Sequence, residues 1–304
     1  MKISLITPTY NQGQYLEETI RSVLDQGVPD LEYIVLDGGS TDGTPEILER
    51  YSDRLAYWCS ERDRGQVDAL NKGFARATGD IVGFINSDDV LLPGALRTVL
   101  DAFTRQPDLD LVYGGVEWMN GDGQGAGFHA GEISDLADVL DVYDVWWRER
   151  QWVQPEVFYR RTLKERVGAF DERYNLAFDY DFWVRCFLAG ARVARLPERL
   201  VRFRLHSGQK SAAAQKAADE IRTIVQRHLE KDPPIPAARR RLIEAQLGYD
   251  IYQLGQNVWA GRPRPSFFSA LLSHPQWLLA PAARKRATAA VARVLLGRKK
   301  AATP

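Results

Sequence analysis

The chain has 304 residues, of which 45% are hydrophobic and 26% charged, with 24 Gly and 15 Pro. These values are close to those of soluble globular proteins and exclude collagen-like, low-complexity and intrinsically disordered classes. The two cysteines cannot form a disulfide framework, and no run approaches the roughly 18 apolar residues of a membrane-spanning helix. The first residues run into an apolar strand pattern without a signal peptide, so we expect a cytoplasmic, reduced protein.

The formal net charge is zero, but the charges are unevenly distributed along the chain. From Ile235 onward, twelve Lys and Arg residues stand against Glu244 and Asp250 alone, so this tail carries +10 and the preceding residues −10. An acidic body with a basic tail favours a tail that meets an anionic surface and a body that holds cations or neutral substrates.

Apolar runs and helical periodicities alternate over the first hundred residues. Short strands are predicted at 3–6, 31–36, 55–58 and 81–85, and helices at 15–24, 45–51, 67–77 and from Pro93 onward. This alternation predicts an α/β fold with a mostly parallel sheet and helices on both faces. Ligands of such sheets bind at the carboxyl ends of the strands, where the polar clusters 7–11, 37–42 and 86–89 fall.

The remainder of the chain is less regular. A helix is predicted at about 180–188 and a strand around 193–196. From about residue 212 the sequence becomes helical and rich in Ala and Arg, so we place a boundary near Ser211.

Three familiar active-site motifs do not occur in the sequence. There is no G-x-x-x-x-G-K-[ST] loop, the glycines of 38–43 lack the G-x-G-x-x-G spacing, and no G-x-S-x-G elbow occurs. P-loop enzymes, dinucleotide dehydrogenases and α/β-hydrolases are therefore disfavoured.

A pair of carboxylates offers a different way to hold phosphate. Asp88 and Asp89 follow the apolar strand 81–85, with Asn86 in front of them. Mg²⁺ takes one or two protein carboxylates and fills its remaining positions with substrate phosphates and water. In the alternative, Asp89 caps the following helix, which explains one aspartate but neither the other nor Asn86.

Four motifs in chain order resemble the family 2 glycosyltransferases with the GT-A fold, particularly members near the colanic-acid-type transferases. They are SLITPTYN at 4–11, YIVLDGGSTDG at 33–43, SERDRGQVDALNKGF at 60–74 and GDIVGFINSDD at 79–89. The resemblance covers about residues 1–210. It implies a GT-A (Rossmann-like) domain over 1–210, with a nucleotide-sugar half at about 1–115 and an acceptor half at about 116–210. A helical, basic extension over 211–304 follows.

The resemblance also implies the residues of a donor site. Those expected to bind the nucleotide sugar are Thr7, Pro8, Thr9, Tyr10, Asp37, Gly65, Asp68, Asn86 and Ser87. Asp88 matches the metal-binding Asp that ends the D-x-D motif, with Mg²⁺ or Mn²⁺ as the cation, and Asn86 occupies the motif's first position. His206 resembles a histidine that completes the metal or diphosphate site, although a solvated surface histidine is the alternative. Gly38 stands where some members carry an Asp that contacts uracil, so UDP and dTDP donors both remain open.

The catalytic base is expected downstream, in the motif at 178–183. This motif resembles the family's E-D pair with its first acid replaced by Phe178, so Asp179 matches the base. An inverting transfer needs one carboxylate within hydrogen-bond reach of the acceptor hydroxyl. Alternatively, Asp179 or Asp181 caps the helix. On the acceptor side the expected residues are Gln154, Trp183 and Arg185, and the tryptophans Trp146, Trp147 and Trp152 either stack on a sugar or pack in the core.

The expected function is an inverting, metal-dependent glycosyltransferase. It would move a sugar from a UDP- or dTDP-type donor to a hydroxyl of a growing glycan, free or lipid-linked, in surface polysaccharide or glycolipid synthesis. A catalytically inactive nucleotide-sugar or glycan-binding module is the alternative, disfavoured by the retention of Asp37, Asp88 and Asp179. A sugar nucleotidyltransferase is disfavoured because it would need a G-x-G-T-R loop after the first strand, where the sequence at 7–11 reads TPTYN. Nucleic-acid binding is disfavoured because no nucleic-acid-binding motif accompanies the basic tail.

Residues 281–300 carry a further pattern. Ala287, Val291, Val294 and Leu295 fall on one helix face, and seven basic residues surround them without an acid. Such a segment is expected to lie in the plane of an anionic membrane, which would place the protein at the inner face of the membrane. The alternative is a helix that packs on the catalytic domain with its charges in water.

Overall fold

A computed structural model describes residues 1–210, 214–254 and 267–300 of the chain. Its strands are β1 (Ile3–Thr9), β2 (Leu31–Asp37), β3 (Tyr57–Ser60), β4 (Ile81–Phe84), β5 (Val90–Leu91), β6 (Leu111–Asn120), β7 (Gly125–Ala130), β8 (Val157–Arg160) and β9 (Val193–Leu205). Its helices are α1 (Gly13–Leu24), α2 (Thr44–Arg50), α3 (Gln66–Arg76), α4 (Ala95–Arg105), α5 (Leu136–Leu140), α6 (Arg161–Val167), α7 (Phe178–Leu188), α8 (Ala214–Leu229), α9 (Ala237–Leu254), α10 (Phe267–Ser273) and α11 (Pro281–Lys300).

The strands of the described residues form one sheet in the order β3-β2-β1-β4-β8-β6-β9-β5, with β7 paired to β6. β1, β2, β3 and β4 run parallel to one another, as the alternation of strands and helices predicts. β8 is antiparallel to both of its neighbours, β4 and β6. The first four strands therefore end at one edge of the sheet, where the predicted polar clusters come together.

Helices cover both faces of the sheet. β1 and β4 are buried along their whole length, which is typical of parallel strands enclosed on two sides. One hydrophobic cluster contains Leu5 of β1, Leu16 of α1 and Val99 of α4. The other contains Ile6 of β1 and Leu70 of α3. Alternate residues of one strand thus enter opposite layers, and the predicted fold class is confirmed.

The last strand is longer than the sequence pattern indicates. The apolar run around 193–196 is followed by Pro197, Glu198 and Arg199, which interrupt the pattern, but β9 continues to Leu205. Pairing with β6 sustains it, with a register shift near Gly115. This continuation matters because it delivers the residues at the end of β9 to the edge of the sheet where the predicted site lies.

Two of the C-terminal helices share the core of the preceding residues. Ile221 and Ile224 of α8 and Ile243 of α9 are buried in the same cluster as residues of α3 and α7. A smaller cluster around Tyr249 and Trp277 joins α9 to α10 and the start of α11. The division at 210/211 stays a prediction, but the hydrophobic core is continuous across it. Among the described helices, none combines the length and apolarity that crossing a membrane needs.

Candidate active site

A cleft of about 1290 Å³ opens at the carboxyl ends of β1, β2 and β4. Thr9 at the end of β1, Gly39 after β2 and Asp88 after β4 line it. Asp179 of α7 and Phe203 of β9 belong to the same lining. Residues that are far apart in the sequence therefore share one concave surface, the usual form of a small-molecule site.

The structure brings most of the predicted site residues to this cleft. Those that line it are Pro8, Thr9, Tyr10, Gly65, Asn86, Ser87, Asp88, Gln154 and Asp179. Those that do not form part of its lining are Thr7, Asp37, Asp68, Trp183, Arg185 and His206. The environments of the second group explain what these side chains do instead.

Thr7 and Asp37 are buried behind the cleft wall. The Thr7 hydroxyl lies 2.9 Å from the Tyr33 hydroxyl inside the sheet. The Asp37 carboxylate accepts hydrogen bonds from the Ser40 backbone N–H at 3.0 Å and the Ser60 hydroxyl at 2.6 Å. These contacts hold the loop after β2 in place, so its glycines form the cleft surface while Asp37 supports them.

Asp68 anchors the turn that precedes α3. Its carboxylate accepts hydrogen bonds from Arg64 and Lys72, both at 2.7 Å, and these two bonds hold the pKa of Asp68 well below its ordinary value. The turn brings Gly65 to the cleft with a φ of +114°, a conformation that favours glycine. Asp68 thus fixes the geometry around Gly65 from beneath.

The structure explains why position 38 is a glycine. A Cβ built on Gly38 would lie 3.0 Å from Oδ2 of Asp63, and both residues line the cleft. Asp63 also accepts a hydrogen bond from the Gly65 N–H at 2.7 Å. An acidic side chain at 38 would therefore compete with Asp63 for space and charge, and this chain presents the Asp63 carboxylate there instead.

Asn86 is held by a network of amides. It accepts a hydrogen bond from Gln66 Nε2 at 2.8 Å and donates to Asp89 Oδ2 at 3.1 Å and Gln154 Oε1 at 3.3 Å. Gln154 in turn donates to the Phe84 carbonyl at 2.8 Å. The first position of the D-x-D-like motif therefore links α3, the end of β4 and the turn before β8.

Asp89 is a buried structural carboxylate. It accepts a hydrogen bond from the Arg204 backbone N–H at 3.0 Å, and burial, followed by the charge of Asp88, raises its pKa well above the ordinary value. It does not cap the next helix, because α4 begins at Ala95 without a side-chain cap. Asp89 instead joins the loop after β4 to the end of β9.

Arg204 completes that connection. Its side chain is 3% exposed and donates to the Asp88 carbonyl at 3.0 Å and the Glu18 carboxylate at 2.5 Å. The guanidinium also lies 4.7 Å from the centre of the Tyr15 ring. A buried, paired arginine thus fixes the backbone of the residue expected to bind the metal.

His206 and Asp88 are in contact although 118 positions separate them. His206 Nε2 lies 3.0 Å from Asp88 Oδ2, and the two side chains are 10% and 16% exposed. No group of three or more His, Cys, Asp or Glu side chains suited to a metal occurs in the described ranges. The Asp88 carboxylate fits a hard cation whose remaining ligands are substrate phosphates and water, and the His206 imidazole offers a nitrogen ligand of the kind that transition metals take.

Asp179 lies in the first turn of α7 and lines the cleft. Burial raises its pKa to about 6, against the opposing effects of the Tyr180 N–H and the nearby Lys210 charge. A carboxylate with a pKa near 6 is ionised at neutral pH and is a stronger base than an exposed aspartate. This environment suits a residue that accepts a proton.

Asp181 occupies a different position on the same helix. It is buried, with Arg185 Nε at 2.7 Å and His228 Nε2 of α8 at 3.3 Å. Since Arg185 pairs with Asp181 and does not line the cleft, the structure places this expected acceptor-side residue within a buried ion pair. Asp181 likewise does not cap α7, whose N-cap position is Ala177.

The turn that leads into α7 is held by α8. Glu220 accepts hydrogen bonds from the backbone N–H groups of Asn175 at 3.2 Å, Leu176 at 2.8 Å and Ala177 at 2.9 Å. Ala177 is the N-cap position of α7, and the other two residues come directly before it. Nothing in the local sequence indicates this role, because Glu220 lies more than forty residues downstream of the turn it holds.

The tryptophans pack mainly with one another. Trp183 and Trp152 are buried, with ring centres 5.5 Å apart. Trp146 stacks on Trp183 at 5.9 Å and also lines the cleft. Core packing thus accounts for Trp183, whereas Trp146 and Trp152 also line the cleft. The side chain of Trp147 lies outside the described part.

Comparison with known proteins adds family information. The sequence model described as glycosyl transferase family 2 matches residues 4–162, which is more than half of the chain. A "PGL/p-HBAD biosynthesis glycosyltransferase" of Mycobacterium bovis is 32% identical over 196 residues, covering 63% of this chain and 72% of the relative. An uncharacterised glycosyltransferase of Nostoc sp. is 28% identical over 233 residues, covering 72% of this chain and 70% of the relative.

Solved structures share the fold. Residues 1-349 of S. aureus TarS in complex with UDP-GlcNAc give a TM-score of 0.63 at 22% identity, covering 91% of this chain and 79% of that one. The chain spans 47% of the longer TarS structure. A mannosyltransferase from Pyrobaculum calidifontis in complex with GDP-Man and Mn²⁺ gives a TM-score of 0.60 at 20% identity, covering 94% of this chain and 83% of that one. These likenesses confirm the predicted GT-A fold.

Proposed function

The chain belongs to glycosyl transferase family 2, and from this premise we propose that it is an inverting, metal-dependent glycosyltransferase. The donor is a UDP- or dTDP-type sugar, and the acceptor is a hydroxyl of a growing glycan, free or lipid-linked, in surface polysaccharide or glycolipid synthesis. One observation carries the proposal: Asp179 and Asp88 open into the same cleft at the carboxyl ends of the parallel strands.

Asp179 is the catalytic base in this proposal. Its carboxylate accepts the proton of the acceptor hydroxyl while that oxygen attacks the anomeric carbon of the donor. The bond to the diphosphate breaks as the new glycosidic bond forms, and the pair of electrons leaves with the diphosphate. Attack from the face opposite the leaving group inverts the configuration at the anomeric carbon.

Asp88 and His206 would hold the divalent cation, Mg²⁺ or Mn²⁺. When bound, it neutralises the charge that develops on the departing diphosphate. Nε2 of His206 lies 3.0 Å from Oδ2 of Asp88. The Arg204 guanidinium donates a hydrogen bond to the backbone carbonyl of Asp88 and so fixes its position. The nucleotide sugars and the Mn²⁺ bound by the structural neighbours support a nucleotide-sugar donor and a divalent cation.

The test is donor turnover by the purified chain. A panel of UDP-, dTDP- and GDP-sugars is incubated with Mn²⁺ or Mg²⁺, with release of the nucleoside diphosphate as the readout. We expect release from at least one donor, its loss in excess chelator, and its loss in Asp88→Ala. Asp53→Ala, which changes an exposed aspartate in the turn before β3, serves as the matched control and retains activity.

Two results would contradict the proposal. Binding of a nucleotide sugar without turnover, under every metal condition, would favour an inactive binding module. Unchanged turnover in chelator or in Asp88→Ala would exclude the metal assignment while leaving the transferase assignment in place.

A further inference from the structure

A buried hydroxyl on α1 lies behind the loop that carries Asp88. Leu16, Ile20 and Val23 are the buried apolar residues of this helix, and Thr19 is buried among them. An apolar residue at 19 would fit the helix pattern equally well. Because a buried hydroxyl costs free energy unless it is hydrogen-bonded, the partners of Thr19 indicate its role.

The Thr19 hydroxyl binds the backbone on both sides of Asp88. Its oxygen lies 2.9 Å from the Ser87 carbonyl and 2.7 Å from the Asp89 carbonyl. A hydroxyl has a single proton to donate, so two carbonyls of one short loop share it. The carbonyl of Asp88 itself accepts a hydrogen bond from Arg204. Two buried side chains, one from α1 and one from β9, therefore hold three consecutive carbonyls.

These hydrogen bonds fix the direction of the Asp88 side chain. The peptide planes on either side of the Asp88 Cα contain the carbonyls of Ser87 and Asp88, and Thr19 and Arg204 hold one plane each. Two fixed planes leave the Asp88 backbone little freedom to rotate, so its Cβ keeps one direction. The Asp88 side chain lines the cleft, and the fold thus sets how its carboxylate is presented there.

The same face of α1 also contacts His206. Tyr15 and Thr19 are four residues apart on this helix, a spacing that puts two side chains on one helix face. The ring centres of Tyr15 and His206 are 5.0 Å apart. Glu18, between them in sequence, accepts a hydrogen bond from Arg204. α1 therefore contacts both halves of the proposed cation site.

We propose that this face of α1 positions the cation ligands. Thr19 holds the loop of Asp88, and the Tyr15 ring holds the imidazole of His206. Both residues act through the ligands and do not touch the metal. The inference rests on the proposed function and deepens it, because it presupposes that Asp88 and His206 hold a divalent cation.

The experiment measures the affinity of the full chain for Mn²⁺ in the presence of UDP or dTDP, from the electron paramagnetic resonance signal of free Mn²⁺. Thr19→Val keeps the shape of the side chain and removes the hydroxyl, whereas Thr19→Ser keeps the hydroxyl. We expect Thr19→Val to weaken Mn²⁺ binding by about tenfold, the size of loss typical when a group that orients a metal ligand is removed. Thr19→Ser should restore most of that affinity.

Tyr15 supplies a second pair of variants at a half-buried position, where a substitution disturbs the core less than at Thr19. Tyr15→Leu removes the ring that lies against His206 and should also weaken Mn²⁺ binding. Tyr15→Phe keeps the ring and should bind Mn²⁺ as the wild type does.

Thr104→Val on α4 is the matched control. The Thr104 hydroxyl donates to the Leu100 carbonyl of its own helix at 2.7 Å, and Thr104 is not part of the cleft lining. This variant loses a comparable hydrogen bond and should keep the wild-type affinity for Mn²⁺. Thermal unfolding in chelator measures the effect of each substitution on folding stability separately from metal binding.

Two outcomes would overturn the inference, and they are distinguishable. Unchanged Mn²⁺ affinity in Thr19→Val or in Tyr15→Leu, whatever the melting temperature in chelator, would reduce this face of α1 to a structural role and leave the metal assignment in place. No binding of Mn²⁺ by the wild type would contradict the metal assignment of the proposed function and the inference with it.

Discussion

Asp179 shows how one residue's surroundings adapt it to a task. It lies at the start of a helix, near the positive charge of Lys210, yet burial dominates and raises its pKa to about 6. An aspartate in water would be a weaker base by roughly two pKa units. Burial raises the free energy of the ionised Asp179 carboxylate, and the ionised form is the one that accepts the proton in catalysis.

The substitution Asp179→Asn tests both the proposed role of Asp179 as the base and the raised pKa of its carboxyl group. The amide keeps the size of the side chain but cannot accept a proton, so turnover should fall by about 10²-fold or more while the affinity for the donor changes little. Turnover of the wild type should rise with pH through about 6, as Asp179 ionises. This rise is the acidic limb of the pH profile of turnover, and it should be absent from the residual activity of the variant. Collapse of donor affinity with normal turnover of bound donor would make Asp179 a binding residue.

Thermal unfolding supplies an independent readout of the same group. Because the folded-state pKa is raised, the folded protein binds the proton more tightly than the unfolded chain does. Its stabilising contribution is present below the ordinary aspartate pKa and is lost as pH rises through about 6. The melting temperature of the wild type relative to Asp179→Asn should therefore decline between pH 4 and pH 8. A constant difference would contradict the raised pKa.

At the scale of secondary structure, α7 depends on α8. The first turn of α7 carries Asp179, and Glu220 accepts hydrogen bonds from the N–H groups of Leu176 and Ala177 just before that turn. A second link joins the helices through the buried contact of Asp181 with His228. The position of the proposed base is therefore set by a helix beyond the residues that match the family model.

Glu220→Ala should weaken this arrangement in a recognisable way. Loss of these hydrogen bonds should cost about 1 to 3 kcal/mol of stability and lower turnover. Because the charge of Glu220 raises the pKa of Asp179 and that of Lys210 lowers it, removing Glu220 should also move the acidic limb of activity to lower pH. Glu230→Ala, at an exposed position just after α8, is the control. A stability loss without any shift of that limb would reduce Glu220 to a structural role.

At the scale of the whole molecule, the basic C-terminal region combines exposed cations with exposed apolar groups. Arg284 and Lys285 of α11 are exposed, as is Leu272 of α10. Ala287, one residue of the predicted apolar face, packs instead against the cluster around Trp277. The side chains of the other three, Val291, Val294 and Leu295, lie outside the described part, so membrane docking of 281–300 remains a proposal.

Sedimentation with liposomes tests that proposal on the intact chain. Vesicles containing anionic lipid should bind the protein, and salt should weaken binding. Arg284→Glu with Lys285→Glu should reduce binding by roughly tenfold or more, because each basic group near the surface contributes about 1 kcal/mol. The matched charge reversal Arg97→Glu with Arg105→Glu, on exposed positions of α4, should bind normally. Equal sedimentation of both variants and wild type would rule out docking through α11.

Local sequence patterns determined the fold class and much of the cleft. Strand and helix periods predict the parallel start of the sheet, because buried strands and amphipathic helices impose different spacings on apolar residues. Once the sheet is parallel, the polar ends of β1, β2 and β4 must meet at one edge. Asn86 and Asp88 could therefore be assigned to this edge from the polar residues that follow β4, whereas the assignment of Gly65 came from the family resemblance of the motif at 60–74.

Only the tertiary structure decided which side chains face the cleft and what holds them there. The contact of Asp88 with His206, the buried pairing of Arg204 and the hydrogen bonds of Glu220 to the turn before α7 each join segments far apart in the chain. The sequence alone could not separate the supporting role of Asp37 or Asp68 from direct ligand contact, since both roles call for a carboxylate in a polar loop. Periodicity records which face of an element is buried, whereas contacts between distant segments depend on how the finished elements pack.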